Sequence, residues 1–242
     1  MRLADWLSLR LKSWAGGGGP FGGHATLTDG LVSVWPLSED GFDVVDGNDL
    51  TNNNAVTFVA KGAGAPANMP ATVANFVQAS SQYFSLAADQ LSVELFSGFT
   101  YATWIYYDAA MTGDAASGAW NGSRGWNGYG INGAGVRTPR LYFFGNGENE
   151  FVDAGTVADD TWHLIVYDWD GSNIGISVNG GTRTTVAHPT AVDDTGIALS
   201  FGRSADAAGY LLGKQSSPMI WSRALTAGER TDLYASGDGL FY

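Results

Sequence analysis

Residues 161–181 read TWHLIVYDWDGSNIGISVNGG. Two apolar runs, TWHLIVYDW (161–169) and IGISV (174–178), each end on a turn dipeptide, Asp170-Gly171 and Asn179-Gly180. Asp-Gly and Asn-Gly adopt the positive φ that tight hairpins require, so this spacing predicts consecutive antiparallel strands. Upstream, FTYATWIYYD (99–108) puts Thr100, Ala102, Trp104 and Tyr106 on one face and Phe99, Tyr101, Thr103 and Ile105 on the other. Apolar residues on both faces predict a strand covered on both sides. Shorter runs extend the pattern: LVSVWPL (31–37), VTFVA (56–60), TVANFV (72–77), QYFSLA (82–87), GYGIN (128–132), RLYFFG (140–145), TRTTVA (182–187), GIALSFG (196–202), YLLG (210–213) and SSPMIWSR (216–223). Many short strands with no long helical periodicity between them predict an all-β, antiparallel two-sheet sandwich or jelly roll.

Composition sets the outer limits. The 242 residues carry 12 Lys and Arg against 24 Asp and Glu, a formal charge of -12, which opposes binding to nucleic acid or anionic membranes. Only 15% are charged and 45% are hydrophobic, so the chain is not an acidic disordered tail. Glycine, at 34 residues, has no period of three, which excludes collagen. The absence of cysteine excludes disulfides, zinc-thiolate and iron-sulfur sites and thiol nucleophiles. No apolar run is long enough to span a membrane. Asp5, Arg10 and Lys12 interrupt the first apolar stretch, which makes it a poor signal peptide, so export by another route such as lysis is expected.

The two ends differ from the middle. Leu3, Leu7, Leu11 and Trp14 share a face at helical spacing, while Leu7, Leu9 and Leu11 also alternate as in a strand. GGGGPFGG (16–23) then reads as a linker. Residues 1–23 are therefore read as an N-terminal arm and glycine-rich linker, and 24–242 as the domain. The arm is a loosely attached tail or a docking segment for other subunits of an assembly; membrane-surface binding ranks below both, since Arg2, Arg10 and Lys12 are its only basic residues. Near the other end, Thr226-Ala-Gly-Glu229 matches a capping box and predicts one short C-terminal helix, packed through Leu233 and Tyr234.

Three stretches together carry a resemblance: DGLVSVWPLSEDG (29–41) with Asp46-Gly-Asn48; FTYATWI (99–105) with WHLIVYDWDGSNIGISVNGG (162–181); and FGR (201–203) with IWSRALTAGERTDLYASG (220–237). They are similar to the laminin-G-like, concanavalin A-like lectin/glucanase jelly-roll superfamily over roughly residues 29–242. The resemblance implies two packed antiparallel sheets. It also implies a carbohydrate-binding or protein-binding role on secreted, cell-surface or phage-borne proteins, calcium at the sandwich rim in some members, and glycoside hydrolysis in others.

Several groups of residues bear on that range. Paired carboxylates are required for glycoside hydrolysis. Glu148 and Glu150, with Asp153 behind them, are the dense acidic group, but GNGENEFVDAG (145–155) reads as a solvated hairpin loop, so no catalytic residue is assigned. His24, His163 and His188 are scattered, with no nucleophile elbow, and His163 reads as a sheet residue. The glycine-rich stretches lack the residues of a phosphate loop. Asp43, Asp46 and Asn48, in a loop with Asp40 and Asp49, are calcium candidates; side-chain capping of backbone amides is the other reading. AWNGSRGWNGYG (119–130) offers Trp120, Asn121, Arg124, Trp126, Asn127 and Tyr129, suited to stacking on a sugar, to contacting a partner, or to packing the sandwich. Trp104, Trp162 and Trp221 read as core, and Arg223 as the partner of an acidic neighbour.

The expected function is a non-catalytic structural or display module of a larger assembly, a capsid-decoration or fibre-type virion surface protein held by its arm. The alternative is a free carbohydrate-binding, lectin-like module; a glycoside hydrolase ranks below both. The expected location is a virion or extracellular surface.

Overall fold

The computed structural model describes residues 20–93, 96–121, 123–132, 136–145, 147–194, 196–203 and 209–242. In chain order the strands are β1 (Leu31–Val34), β2 (Thr51–Asn53), β3 (Thr57–Ala60), β4 (Thr72–Phe76), β5 (Tyr83–Ser85), β6 (Phe99–Tyr107), β7 (Ala115–Trp120) and β8 (Gly125–Asn132). They continue as β9 (Val136–Gly145), β10 (Glu148–Asp153), β11 (Val157–Ala158), β12 (Trp162–Trp169), β13 (Asn173–Val178), β14 (Thr184–Ala187), β15 (Leu199–Phe201) and β16 (Gly213–Trp221). One α-helix, α1 (Ala227–Tyr234), follows.

Among the described residues these strands form two eight-stranded antiparallel sheets, the packed sandwich of a jelly roll. The first sheet runs β14-β13-β12-β6-β16-β4-β3, with β1 on β16; the second runs β10-β9-β8-β7-β15-β5-β2, with β11 on β9. Both hairpins expected from residues 161–181 are present: β12 pairs with β13 and β13 with β14. Strand alternation divides the core. Phe99, Tyr101, Ile105 and Tyr107 of β6 face the second sheet, with Ile165, Tyr167 and Trp169 of β12. Ala102 and Trp104, with Trp162, Leu164, Val166, Met219 and Trp221, face the other way into a second apolar cluster.

That second cluster is closed by the chain ends. Phe21 and Leu27 come from the N-terminal side, and Leu225, Leu233, Leu240 and Phe241 from the C-terminal side. Phe21 is fully buried, 6.1 Å from the Trp221 ring and 5.7 Å from the Tyr242 ring. The Trp221 indole donates to the Leu27 carbonyl at 2.7 Å. Phe21, within the stretch read as linker, is thus packed into this cluster. Sequence gave no sign of this because Phe21 lies between Pro20 and Gly22-Gly23.

The C-terminal helix carries the expected capping box. The Thr226 side chain accepts from the Glu229 amide, and the Glu229 carboxylate accepts from the Thr226 amide at 2.8 Å. Arg223 pairs with that same carboxylate at 2.6 Å. No helix among the described residues is long and apolar enough to cross a membrane.

Candidate functional site

The second sheet turns a row of aromatic side chains to its outer face. Its composition follows from alternation in β7 to β10. In register, Ala119 faces Trp126, and Trp126 faces Phe143; these residues turn inward. The residues between them turn outward: Trp120 on β7, Asn127 and Tyr129 on β8, Arg140, Tyr142 and Phe144 on β9, and Phe151 and Asp153 on β10.

The outward rings touch in series. Tyr142 lies at their centre, with its ring 5.4 Å from Tyr129, 5.5 Å from Phe151, 6.2 Å from Trp120 and 6.3 Å from Phe144. Trp120 and Phe144 meet edge to face at 4.2 Å. Tyr129, Tyr142 and Phe144 are half-buried, and Phe151 is exposed. Arg140 borders the row. It grips Asp153 through two hydrogen bonds of 2.5 and 2.7 Å, donates to the Tyr142 hydroxyl at 3.1 Å, and lies 4.0 Å from the Phe151 ring centroid. The Asp153 carboxylate raises the Arg140 pKa further above its ordinary range, so the guanidinium stays charged. Flat rings with charged and amide groups beside them can stack on the apolar face of a sugar and bond its hydroxyls.

The six residues singled out in 119–130 therefore separate. Trp120 and Tyr129 belong to the outer row. Trp126 does not: it is fully buried between the sheets, 5.2 Å from Phe99 and 5.3 Å from Tyr101, and is a core ring, not a contact residue. Asn127 faces outward yet is fully buried, with neither amide atom hydrogen-bonded. Asn121 organises the β7–β8 turn by accepting from the amides of Ser123 and Arg124. Arg124 pairs with Asp193 at 3.3 Å on the surface. Tyr142, Phe144 and Phe151 were missed. The alternation Arg140, Tyr142, Phe144 within RLYFFG was the signal that could have found the first two.

The calcium candidates resolve differently. Asp43 is buried, and its carboxylate accepts from four backbone amides, those of Val34 (2.9 Å), Val45 (3.0 Å), Asp46 (3.2 Å) and Asn48 (3.1 Å). Its lone pairs are committed to folding the loop. The Asn48 side chain donates to Ser33, and Asp46 is exposed. Backbone capping is the role of the Asp43 side chain here, with Asp46 and Asn48 supplying two of the capped amides. Among the described residues no group of three or more His, Asp or Glu could hold a metal ion.

Glu148 and Glu150 lie in edge strand β10 and not in a loop, with Glu148 opposite Gly145 at the hairpin tip and Glu150 exposed. His163 packs in the first sheet, its ring bonded to the Ala158 carbonyl at 3.0 Å and to the Asn179 side chain at 3.2 Å; burial lowers its pKa below the ordinary imidazole value. The arm residues Leu3, Leu7, Leu11 and Trp14 lie outside the described residues.

The family model for the concanavalin A-like lectin/glucanases superfamily matches residues 78–229, and the chain belongs to that superfamily. A search of the curated proteins finds no match. Among solved structures the chain is similar to domain 4 of AbnA, a GH43 extracellular arabinanase from Geobacillus stearothermophilus, in complex with arabinotriose: TM-score 0.63, 13% identity, covering 84% of this chain and 97% of that one. It is also similar to the binding domain of Paraclostridial Mosquitocidal Protein 1, with TM-score 0.66, 15% identity, and coverage of 86% and 52%. The binding domain of botulinum neurotoxin DC in complex with SialylT matches with TM-score 0.61, 12% identity, and coverage of 86% and 51%. This chain spans about half the length of the two toxin domains. At these identities the likeness is one of fold.

Proposed function

We propose that the chain is a non-catalytic, lectin-like module that binds glycans through the outer face of its second sheet. The observation that carries this reading is the contiguous row Trp120, Tyr129, Tyr142, Phe144 and Phe151 bordered by the Arg140–Asp153 pair. Support comes from the similar solved structures, one bound to arabinotriose and one to SialylT. The test is a glycan array read with the intact chain and with Tyr142→Ala and Phe151→Ala. Glycan binding that falls at least tenfold in both variants, with folding retained, supports the proposal. Binding that survives both overturns it.

We further propose that the module is displayed on a larger assembly at an extracellular or virion surface, held by residues 1–19. Phe21 packs on the first sheet, across the sandwich from the aromatic row, so a tether leaving from there does not obstruct the binding face. Deleting residues 1–19 is expected to abolish co-sedimentation with the assembly and leave glycan binding intact. Full co-sedimentation of the truncated chain would refute the arm's role.

A further inference from the structure

Two polar side chains on the outer face of the second sheet lack hydrogen-bond partners. Asn127 and Ser200 are both fully buried, and the Asn127 amide oxygen and nitrogen and the Ser200 hydroxyl are all unpartnered. Their direction is fixed by their neighbours. Trp126 and Gly128 flank Asn127 and turn inward, Trp126 against Phe99 and Gly128 against the Tyr167 ring. Leu199 and Phe201 flank Ser200 and belong to the inner core. Asn127 and Ser200 also share one row across the sheet, since Asn127 is opposite Gly118 and Gly118 is opposite Ser200. The middle strand contributes no side chain between them. On its other side, Asn127 is opposite Tyr142, the centre of the aromatic row.

A buried amide without a partner destabilises a fold, and the usual solution at such a position is an apolar residue. A polar group kept in that state next to a binding surface is expected where function needs it. The primary amide offers donors and acceptors together, and a hydroxyl offers both. A pair of adjacent sugar hydroxyls, each also donor and acceptor, complements that set. An anion would leave the amide oxygen unmatched, and a cation would leave the amide hydrogens unmatched.

We infer that Asn127 and Ser200 are the specificity-determining polar groups of this face, reading adjacent hydroxyls of a neutral sugar that stacks on Tyr142. The inference rests on the glycan-binding reading above. Both side chains are fully buried, so reading a sugar requires the groups over them to move.

The experiment combines stability and binding for the intact chain, Asn127→Ala, Ser200→Ala and Tyr142→Ala. The probes are arabinotriose, cellotriose and a galacturonate trisaccharide. The expected result is that at least one neutral trisaccharide binds, and that Asn127→Ala weakens it at least tenfold and Ser200→Ala at least threefold. Both variants should unfold at the same or a higher denaturant concentration, because each removes an unpartnered polar group. A purely structural role would lower that midpoint and would overturn the inference. Unchanged affinity in Asn127→Ala, with binding lost in Tyr142→Ala, would overturn it and leave the glycan-binding reading standing. Preference for the galacturonate probe would also overturn it. Absence of binding by all three probes to the intact chain would overturn the inference, while the array decides the glycan-binding reading.

Discussion

At the scale of single residues, Trp126 separates what composition reveals from what register decides. AWNGSRGWNGYG (119–130) reads as an aromatic, glycine-spaced loop, and nothing in it fixes whether Trp120 or Trp126 turns inward. A one-residue change in register reverses every side chain on a strand. The pairing of Ala119 with Trp126 settles the matter, sending Trp126 inward and Trp120 outward. Trp104, Trp162 and Trp221 were legible as core because their strands have clear apolar alternation, and Arg223 was legible as an acid's partner through its spacing from Trp221. Trp126→Ala is therefore expected to cost about 3–5 kcal/mol, the range for an aromatic ring removed from a packed core. Denaturant unfolding measures this directly. A loss below about 0.5 kcal/mol would mean that the ring is exposed and that this hairpin is one residue out of register.

At the scale of elements, the strands found from sequence are those with aromatic or β-branched alternation. β7 (AASGAW) and β10 (ENEFVD) escaped because Ala, Gly, Ser, Asn and Glu have little intrinsic strand preference. They are strands because β8 and β9 offer complete hydrogen-bonding edges beside them. The helix α1 is the opposite case, legible from four residues. Thr226→Ala removes the cap and is expected to cost about 1 kcal/mol. Glu229 adds a pH dependence. Its pairing with Arg223 pulls its pKa down to about 2, below its value in the unfolded chain. A depressed carboxyl pKa contributes stability that is fully present above the unfolded value of about 4.3 and is lost as pH falls through the folded value. The stability gap between the intact chain and Glu229→Gln should be constant from pH 7 to about pH 5, then narrow toward pH 2. Unfolding curves at pH 6, 4 and 3 measure that gap; if it does not change with pH, the Arg223–Glu229 pair is not coupled to folding.

At the scale of the whole molecule, the two-sheet architecture was legible because it needs only strand periodicity and turn chemistry. The closure of the first sheet's outer side was not, since it depends on both chain ends meeting on one surface. Phe21, Trp221 and Tyr242 are far apart in sequence but pack together, and His24 pairs with Asp232 of the helix at 3.3 Å. Phe21 holds φ at +52° and Gly22 and Gly23 hold +61° and +89°, left-handed values that turn the chain so that the Phe21 ring enters the cluster. The glycines that look like slack in the sequence are, at these positions, part of a built turn. Two deletions separate the possibilities. Removal of residues 1–19 keeps Phe21 and should leave a single cooperative transition at an unchanged midpoint, because truncation tolerance follows packing and not position in the chain. Removal of residues 1–23 takes the Phe21 ring from its contacts with Trp221 and Tyr242 and should cost about 3–5 kcal/mol. The Trp221 indole would still reach the Leu27 carbonyl, so the shortened chain should fold but with a lower midpoint. Calorimetry of the two truncated chains beside the full-length one decides between them. Equal midpoints for both deletions would keep the domain boundary at residue 24 and make Phe21 a passenger of the linker.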